Sequence, residues 1–384
     1  MNGRGRFLFL EPFFGGSHRD FAEGWVEHSR HRLELHTLPA RFWKWRLRGA
    51  ALHFAGTLPA PRGYDGLITT DLLALGDLKA LWGAACPPAL VYFHENQLTY
   101  PLAPGERQDL QYGFTGITTA LAAERVLFNS QSHFEAFFAE LPIFLRRMPE
   151  YRPLWVVEAI RGRSAVLPPG CRFRPSDPLP IPPAGQTPLV IWNHRWEFDK
   201  NPGAFFAALE AAEARGARFE LALLGENYQK VPKPFASARE RWGERVVQYG
   251  YVRDRALYRK WLARGAVVIS TAEQENFGIA VVEAVRSGCF PLLPSRLSYP
   301  ELIPEALQPH VLYQSQEDLV DRLVRLLAEL PLPGNPWHDR IRELARAMDR
   351  YAWPNLIDAY DGELEGLASG APAPAAAAGG ADPR

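Results

Sequence analysis

Short runs of continuous or alternating apolar residues recur along the chain, separated by longer stretches whose apolar positions return every three or four residues. In the first half the strand-like runs are "RFLFLEPF", "RLELHTL", "GLITT", "ALVYFHE" and "RVLFNS", the last followed by a helical "HFEAFFAEL". Residues 168–188, "PPGCRFRPSDPLPIPPAGQTP", hold too much proline for regular structure. The pattern then restarts with a strand "LVIWNH", a helix "NPGAFFAALEAAEARG", and strands "RFELALLGE", "VVQYGYV", "GAVVISTAE" and "FPLLP". Strands alternating with helices predict an α/β protein of two Rossmann-like, doubly wound domains facing a cleft. Ligands of such sheets bind outside the carboxyl ends of the strands. The predicted boundaries are a first domain over 1–170, a Pro-rich linker over 171–188 and a second domain over 189–345. A C-terminal helix over 346–367, free to return to the first domain, and a disordered tail over 368–384 complete the chain.

One stretch breaks the apolar rule. Residues 270–289 read "STAEQENFGIAVVEAVRSGC", and Glu283 is the only residue of "IAVVEAV" that is not aliphatic. A helix apolar on every side is a buried helix, and a bare carboxylate there costs several kcal/mol. The helix starts near Phe277 and Gly278, where free backbone amides favour an anion, phosphate above all. Glu275 precedes that start and Glu283 follows eight residues later, about 12 Å further along if the segment is all helical. A nucleoside diphosphate sugar fits both carboxylates: sugar at Glu275, diphosphate at Phe277 and Gly278, ribose diol at Glu283. The competing reading pairs Glu283 with an arginine inside a core.

"NHRWEFDKNP" places Arg195 and Lys200 at the end of the strand that opens the second domain. Two cations there can clamp a diphosphate and stabilise the charge that grows on it as it leaves. The alternative is a solvated loop. "FLEPFFGGSHRDF" reads as strand, Gly-Gly turn and helix, with Ser17 as N-cap and Asp20 completing a capping box. "ALVYFHENQLTYP" puts His94 at the carboxyl end of a buried strand, facing the predicted cleft, and "VLFNSQSHF" puts Asn129 and Ser130 where they can cap the next helix.

Basic and acidic residues balance at 43 each, so a nucleic-acid partner needs a local patch. "PARFWKWRLRGAALHF" supplies one candidate, interleaving Arg41, Lys44, Arg46 and Arg48 with Phe42, Trp43 and Trp45; Arg146, Arg147 and Arg152 form a second. An amphipathic helix with its aromatics in the core is the alternative for the first. The three cysteines lack metal-ligand spacing and are odd in number, which argues for the reducing cytoplasm and against a zinc site. The N-terminal apolar run is interrupted by Glu11 and leads into Gly-Gly, so it reads as a strand rather than a signal sequence. No stretch approaches a membrane span, and no protein partner is evident.

The Glu275/Glu283 pair with "NFG", the Arg195/Lys200 pair, "LLGEN" at Gly225 and "GYVRDRALYRKWLARGAVVIS" together resemble a retaining glycosyltransferase of the GT-B fold, glycosyltransferase family 4. "EPFFGGSH", "LPARFWKWR", "YFHENQLTYP", "DLQYGF", "FNSQSHFEAF", "HRWEFDKNP" and "FGIAVVEAVRSGCFPLLPSRLSYPE" resemble, more narrowly, the tRNA-queuosine mannosyltransferase family. That resemblance implies transfer of mannose from GDP-mannose to the cyclopentenediol of queuosine in tRNA, with no metal or other cofactor. It implies catalytic roles for Arg195, Lys200, Glu275 and His94, the last against the donor sugar. It implies donor contacts at Gly15, Gly16, Gly225, Asn276, Phe277, Gly278, Ile279 and Glu283. Acceptor or RNA contacts fall to His18, Arg41, Trp43, Lys44, Trp45, Arg46, Asn96, Gln97, Arg146 and Arg147. The first domain would take the acceptor and the second the nucleotide sugar. His194 stands where many members of the wider family have glycine, and the chain lacks a long insertion associated with animal members. Alternatives are another nucleotide sugar with a lipid or small-molecule acceptor, and a non-catalytic nucleotide- or RNA-binding protein.

Overall fold

The computed structural model describes residues 4–102, 105, 107–177, 179, 185–226 and 231–371. The chain divides into two units, one of residues 1–172 with 353–384 and one of residues 173–352. Most of the predicted linker's prolines, and residues 372–384 of the predicted tail, lie outside the described residues.

The first unit is a six-stranded parallel sheet of β1 (Arg6–Phe14), β2 (Arg32–Pro39), β3 (Gly66–Thr70), β4 (Ala89–Phe93), β5 (Arg125–Phe128) and β6 (Ser164–Val166). The order is β2-β1-β3-β4-β5-β6, so the winding reverses between β1 and β3. Alternation along β1 explains its two-sided burial. Leu8 and Leu10 join a core with Phe54, Phe93, Phe128 and Phe137, while Phe7 and Phe9 join another with Phe21, Trp25, Tyr92 and Trp353. Each such side chain contributes roughly 1.5–3 kcal/mol by leaving water.

The second core depends on the last helix, Trp353–Ser369. It starts seven residues later than the sequence suggests, because Pro354 is tolerated only in a first turn; residues 337–347 form a separate helix and 348–351 a 3₁₀ turn. Trp353 is fully buried, and a Cβ on Gly24 or Gly170 would fall 1.9 Å or 2.2 Å from its ring. Only glycine leaves room for that indole.

The second unit repeats the plan with β7 (Leu189–Trp192), β8 (Glu220–Leu223), β9 (Val246–Tyr249), β10 (Val267–Ile269), β11 (Phe290–Pro294) and β12 (Leu312–Tyr313). Its order is β12-β11-β10-β7-β8-β9, the dinucleotide-fold order, with the reversal between β7 and β10. Each unit therefore has a switch point where loops part at the carboxyl ends of two strands.

Candidate active site

At the second unit's switch point, β7 runs into Asn193, His194 and Arg195, then into a 3₁₀ turn, Phe198–Lys200. Asn201 adopts a left-handed conformation and its Oδ1 accepts from the Ala204 amide at 3.2 Å, starting the next helix. The loop after β10 is tied to this turn, since Thr271 Oγ1 donates to the carbonyls of Lys200 and Asn201 at 3.0 and 2.9 Å. Lys200 is buried rather than solvated. Its Nζ lies 2.6 Å from the Gln274 carbonyl, 3.1 Å from Asp199 Oδ2 and 3.4 Å from Glu275 Oε2. Burial opposes ionisation of Glu275, but Lys200, His194 and Arg195 prevail and hold its carboxyl below the usual range. Arg195 is more open and pairs with Glu197 at 3.2 Å. Burial pushes the His194 imidazole down to about 4, so it is neutral near pH 7.

The segment from Glu275 to Glu283 is not all helical. Gly278 turns left-handed at φ +99°, and the helix runs Ile279–Arg286 with no side-chain cap on its first amides. The turn is pinned from below: Ser298 Oγ donates to the Phe277 carbonyl at 2.9 Å, and the Phe277 ring meets Tyr351 edge-on. One side of the helix is half-exposed at Ile279, Ala280 and Glu283, which corrects the expectation of burial all round. Tyr258 donates its hydroxyl to Glu283 Oε2 at 3.1 Å, and Asn193 Nδ2 donates to that hydroxyl at 3.1 Å. Asn276 accepts from Gln274 at 3.0 Å. Gly225 serves close packing, because a Cβ there would lie 1.8 Å from the His194 carbonyl oxygen.

In the first unit the helix Gly16–His28 begins directly after β1, with Gly15 extended at its N-cap and Gly16 at φ +50°. Ser17 lies inside the first turn, and the predicted capping box does not form. Glu11 is wholly buried, its Oε1 accepting from the Phe13 amide at 2.8 Å and lying 3.4 Å from His18 Nδ1. The His18 and His94 ring centroids lie 4.1 Å apart, with the planes tilted by 41°. Burial favours neutral His18, yet Glu11, Asp71 and Glu95 raise its affinity for a proton; burial and its two histidine neighbours lower that of His94. Asp71 Oδ1 accepts the His94 amide at 2.9 Å, and burial, then Glu95, push Asp71 up to about 8. Glu11, His18 and His94 bring ligand atoms within 4.8 Å of one another, a group able in principle to hold a metal ion. Asn96 spends its side chain on the turn, accepting from Leu98 and Thr99 amides at 3.0 Å, while Gln97 donates to Glu95. Ser130 caps the helix Gln131–Arg146 as expected; Asn129 instead bridges the His94 carbonyl and the His133 ring, both at 2.8 Å.

The two basic stretches converge on the start of the helix Leu110–Ala122, which carries the "DLQYGF" stretch. Arg48 reaches Gln111, Trp43 packs on Tyr112 at 5.2 Å with Lys44 over both rings, and Arg147 donates to Gln108 at 2.6 Å. Arg41 and Arg146 are exposed, and Arg46 donates to the Pro39 carbonyl. Phe42 is 70% exposed, Trp45 76%, Tyr151 87% and Trp155 67%, so these aromatics are not core residues. Phe42 and Tyr151 are also held at φ +57° and +49°, a conformation that bulky side chains rarely adopt.

Glu11, Asp71, Glu95, Tyr258 and Asn193 were not identifiable as site residues in the linear pattern. The first two end apolar runs as any strand-terminal acid does.

Residues 6–171 match the family described as tRNA-queuosine alpha-mannosyltransferase N-terminal, and residues 188–329 match glycosyl transferases group 1. A tRNA-queuosine alpha-mannosyltransferase of Drosophila melanogaster is 35% identical over 367 residues, covering 92% of this chain and 94% of that one. So high a coverage leaves no room for a long insertion in that animal relative. A GDP-mannose:cellobiosyl-diphosphopolyprenol alpha-mannosyltransferase of Xanthomonas oryzae is 25% identical over 173 residues, 44% of this chain and 45% of that one. Among solved structures, sucrose-phosphate synthase from Thermosynechococcus elongatus superposes with a TM-score of 0.69 at 15% identity, covering 96% of this chain and 100% of that one. The catalytic domain of starch synthase IV from Arabidopsis thaliana gives 0.65 at 12%, covering the same shares. These two show the fold, that of GT-B glycosyltransferases. With identity spread across both units, the chain belongs to the tRNA-queuosine alpha-mannosyltransferase family of glycosyltransferases.

Proposed function

We propose that this glycosyltransferase transfers mannose from GDP-mannose to a cyclopentenediol hydroxyl of queuosine in tRNA. The observation that carries the reading is the 35% identity to the fly enzyme over 92% of the chain, together with a first unit matching a family described by that activity. The donor residues support it: Lys200 is buried against Glu275, and Glu283 is held by Tyr258 beside uncapped helix amides. An α-linked product from an α-linked donor means retention of configuration at the sugar.

In this reading Arg195, Lys200 and the amides from Ile279 onward stabilise the diphosphate as it leaves, the task a metal ion performs in other transferases. The acceptor hydroxyl attacks from the leaving-group side and passes its proton to the departing diphosphate. Glu275 orients the mannose hydroxyls and Glu283 takes the ribose diol. The exposed aromatics and cations about Gln111 hold the RNA. The reaction belongs in the cytoplasm, where unpaired cysteines persist; among the described residues no helix is long and apolar enough to cross a membrane.

The test is incubation with GDP-mannose and queuosine-containing tRNA, nuclease digestion and mass spectrometry of the nucleosides. Queuosine should gain one hexose. Equal gain in tRNA lacking queuosine, or product formed without any tRNA, sinks the acceptor assignment.

A further inference from the structure

We infer that Asp199 sets how tightly the donor site holds a diphosphate. Its buried carboxylate offsets part of the Lys200 charge, so the donor binds moderately and the nucleoside diphosphate product can leave. The inference rests on the donor reading above, in which Lys200 faces the diphosphate.

The 3₁₀ turn Phe198–Lys200 puts an acid and a base side by side, and both are buried. Asp199 is wholly buried, with Oδ2 3.1 Å from Lys200 Nζ. Neither of its carboxylate oxygens accepts a hydrogen bond among the described residues. The side chain is therefore not what holds the turn. Asn201 caps the helix that follows, and the loop after β10 is fastened by the Asp199 backbone, whose carbonyl accepts the Glu273 amide at 2.8 Å and the Gln274 amide at 3.3 Å. A buried carboxylate without hydrogen bonds is costly, and this one stands beside a group that has to attract an anion. What it contributes there is its charge.

Lys200 Nζ carries three N–H donors and meets three acceptors: the Gln274 carbonyl at 2.6 Å, Asp199 at 3.1 Å and Glu275 at 3.4 Å. A phosphate oxygen has to share or displace one of them. The Gln274 carbonyl is neutral, and Glu275 orients the mannose in the donor reading. Asp199 alone subtracts charge without a ligand group of its own. One cation between two carboxylates leaves the attraction of the diphosphate to Arg195 and the uncapped helix amides. Tighter binding of donor and product alike would lower KM without raising kcat, and would delay product release.

The test is isothermal titration of native protein and Asp199→Asn with GDP and with guanosine. Asparagine keeps the shape of the side chain and removes its charge. The variant should bind GDP at least ~10-fold more tightly, as expected for one unit charge removed near a buried diphosphate, with guanosine affinity unchanged. In transfer assays its KM for GDP-mannose should fall, its kcat should not rise, and GDP should inhibit at ~10-fold lower concentration. A loosened turn weakens both ligands, so a purely structural Asp199 cannot produce tightening confined to GDP. GDP binding that is equal or weaker in the variant overturns the proposal and leaves the donor reading standing, as does equal tightening of GDP and guanosine. Should Asp199→Asn fail to fold, Asp199→Ser, smaller and also neutral, carries the comparison. Native protein that binds no GDP sinks the donor reading, and the role of Asp199 with it.

Discussion

Tyr258 donates its hydroxyl hydrogen to Glu283 across 3.1 Å, while Asn193 donates to the same hydroxyl oxygen. A carboxylate on a half-exposed helix face is thereby oriented in part by a tyrosine hydroxyl that an asparagine amide in turn holds. Tyr258→Phe should weaken GDP-mannose binding about fivefold, the worth of one hydrogen bond that orients a ligand group. Glu283→Gln should weaken it further with an unchanged melting temperature. Isothermal titration with GDP-mannose measures both. Unfolding of the Gln variant would show that the carboxylate serves the core.

Lys200 neutralises a buried surplus of negative charge from Asp199 and Glu275. Lys200→Met should abolish transfer and cost about 3 kcal/mol of stability, because two carboxylates are left without their partner. The same pair has a pH signature. Glu275 ionises more readily folded than unfolded, so its contribution is present above its unfolded value near 4.5 and is lost as pH falls through the lower folded value. Urea titrations at pH 7 and in the acid range check both statements.

Gly278→Ala should lower stability by about 1–3 kcal/mol and reduce donor binding. At φ +99° an added Cβ is strained whatever the space, and here it would also lie 3.2 Å from Leu302 Cδ1. Relief of the strain would rotate the uncapped amides away from their present direction. Circular dichroism melts and donor titration separate the two effects.

Asp71 supplies the opposite pH signature to Glu275. Its folded value is raised from 3.8 to about 8, so stability is greatest below the unfolded value and declines as pH rises through the folded one. Asp71→Asn should flatten that decline, leaving the variant more stable than the native protein above pH 8. Melting temperatures from pH 5 to 9 read the crossing directly.

Trp45→Ala, Tyr151→Ala and Trp155→Ala should leave the fold intact, since each side chain is mostly exposed. Each should raise the Kd for tRNA about tenfold if it stacks on a base, whereas Arg146→Ala and Arg147→Ala should instead lower the salt dependence of binding. Filter binding between roughly 50 and 200 mM salt distinguishes them.

The alternation of strands and helices was legible because β3, β4 and β5 are short, mostly apolar runs buried at every position. The gathering of Lys200 with Glu275 was legible too, since they stand after a strand end and before a helix start. What stayed hidden depends on convergence in space. Glu11 and Asp71 are separated by sixty residues, and only the parallel register of β1 with β3 brings their ends together. Gly225 reads as a loop glycine until the His194 carbonyl is found against it. Tyr151 and Trp155 look like ordinary aromatics in the sequence, and only the structure reveals that both are exposed.

The first unit is assembled from both ends of the chain, with Trp353, Tyr360, Leu364 and Leu367 completing the core around Phe9, Phe21 and Trp25. During synthesis, that core stays unfinished until the final helix leaves the ribosome, whereas residues 173–352 are all available earlier. Release of the chain at residue 352 would therefore produce a protein whose first-made half is the half that cannot close. Premature termination near the end of the message should yield an early target for proteolysis rather than a slightly shortened enzyme.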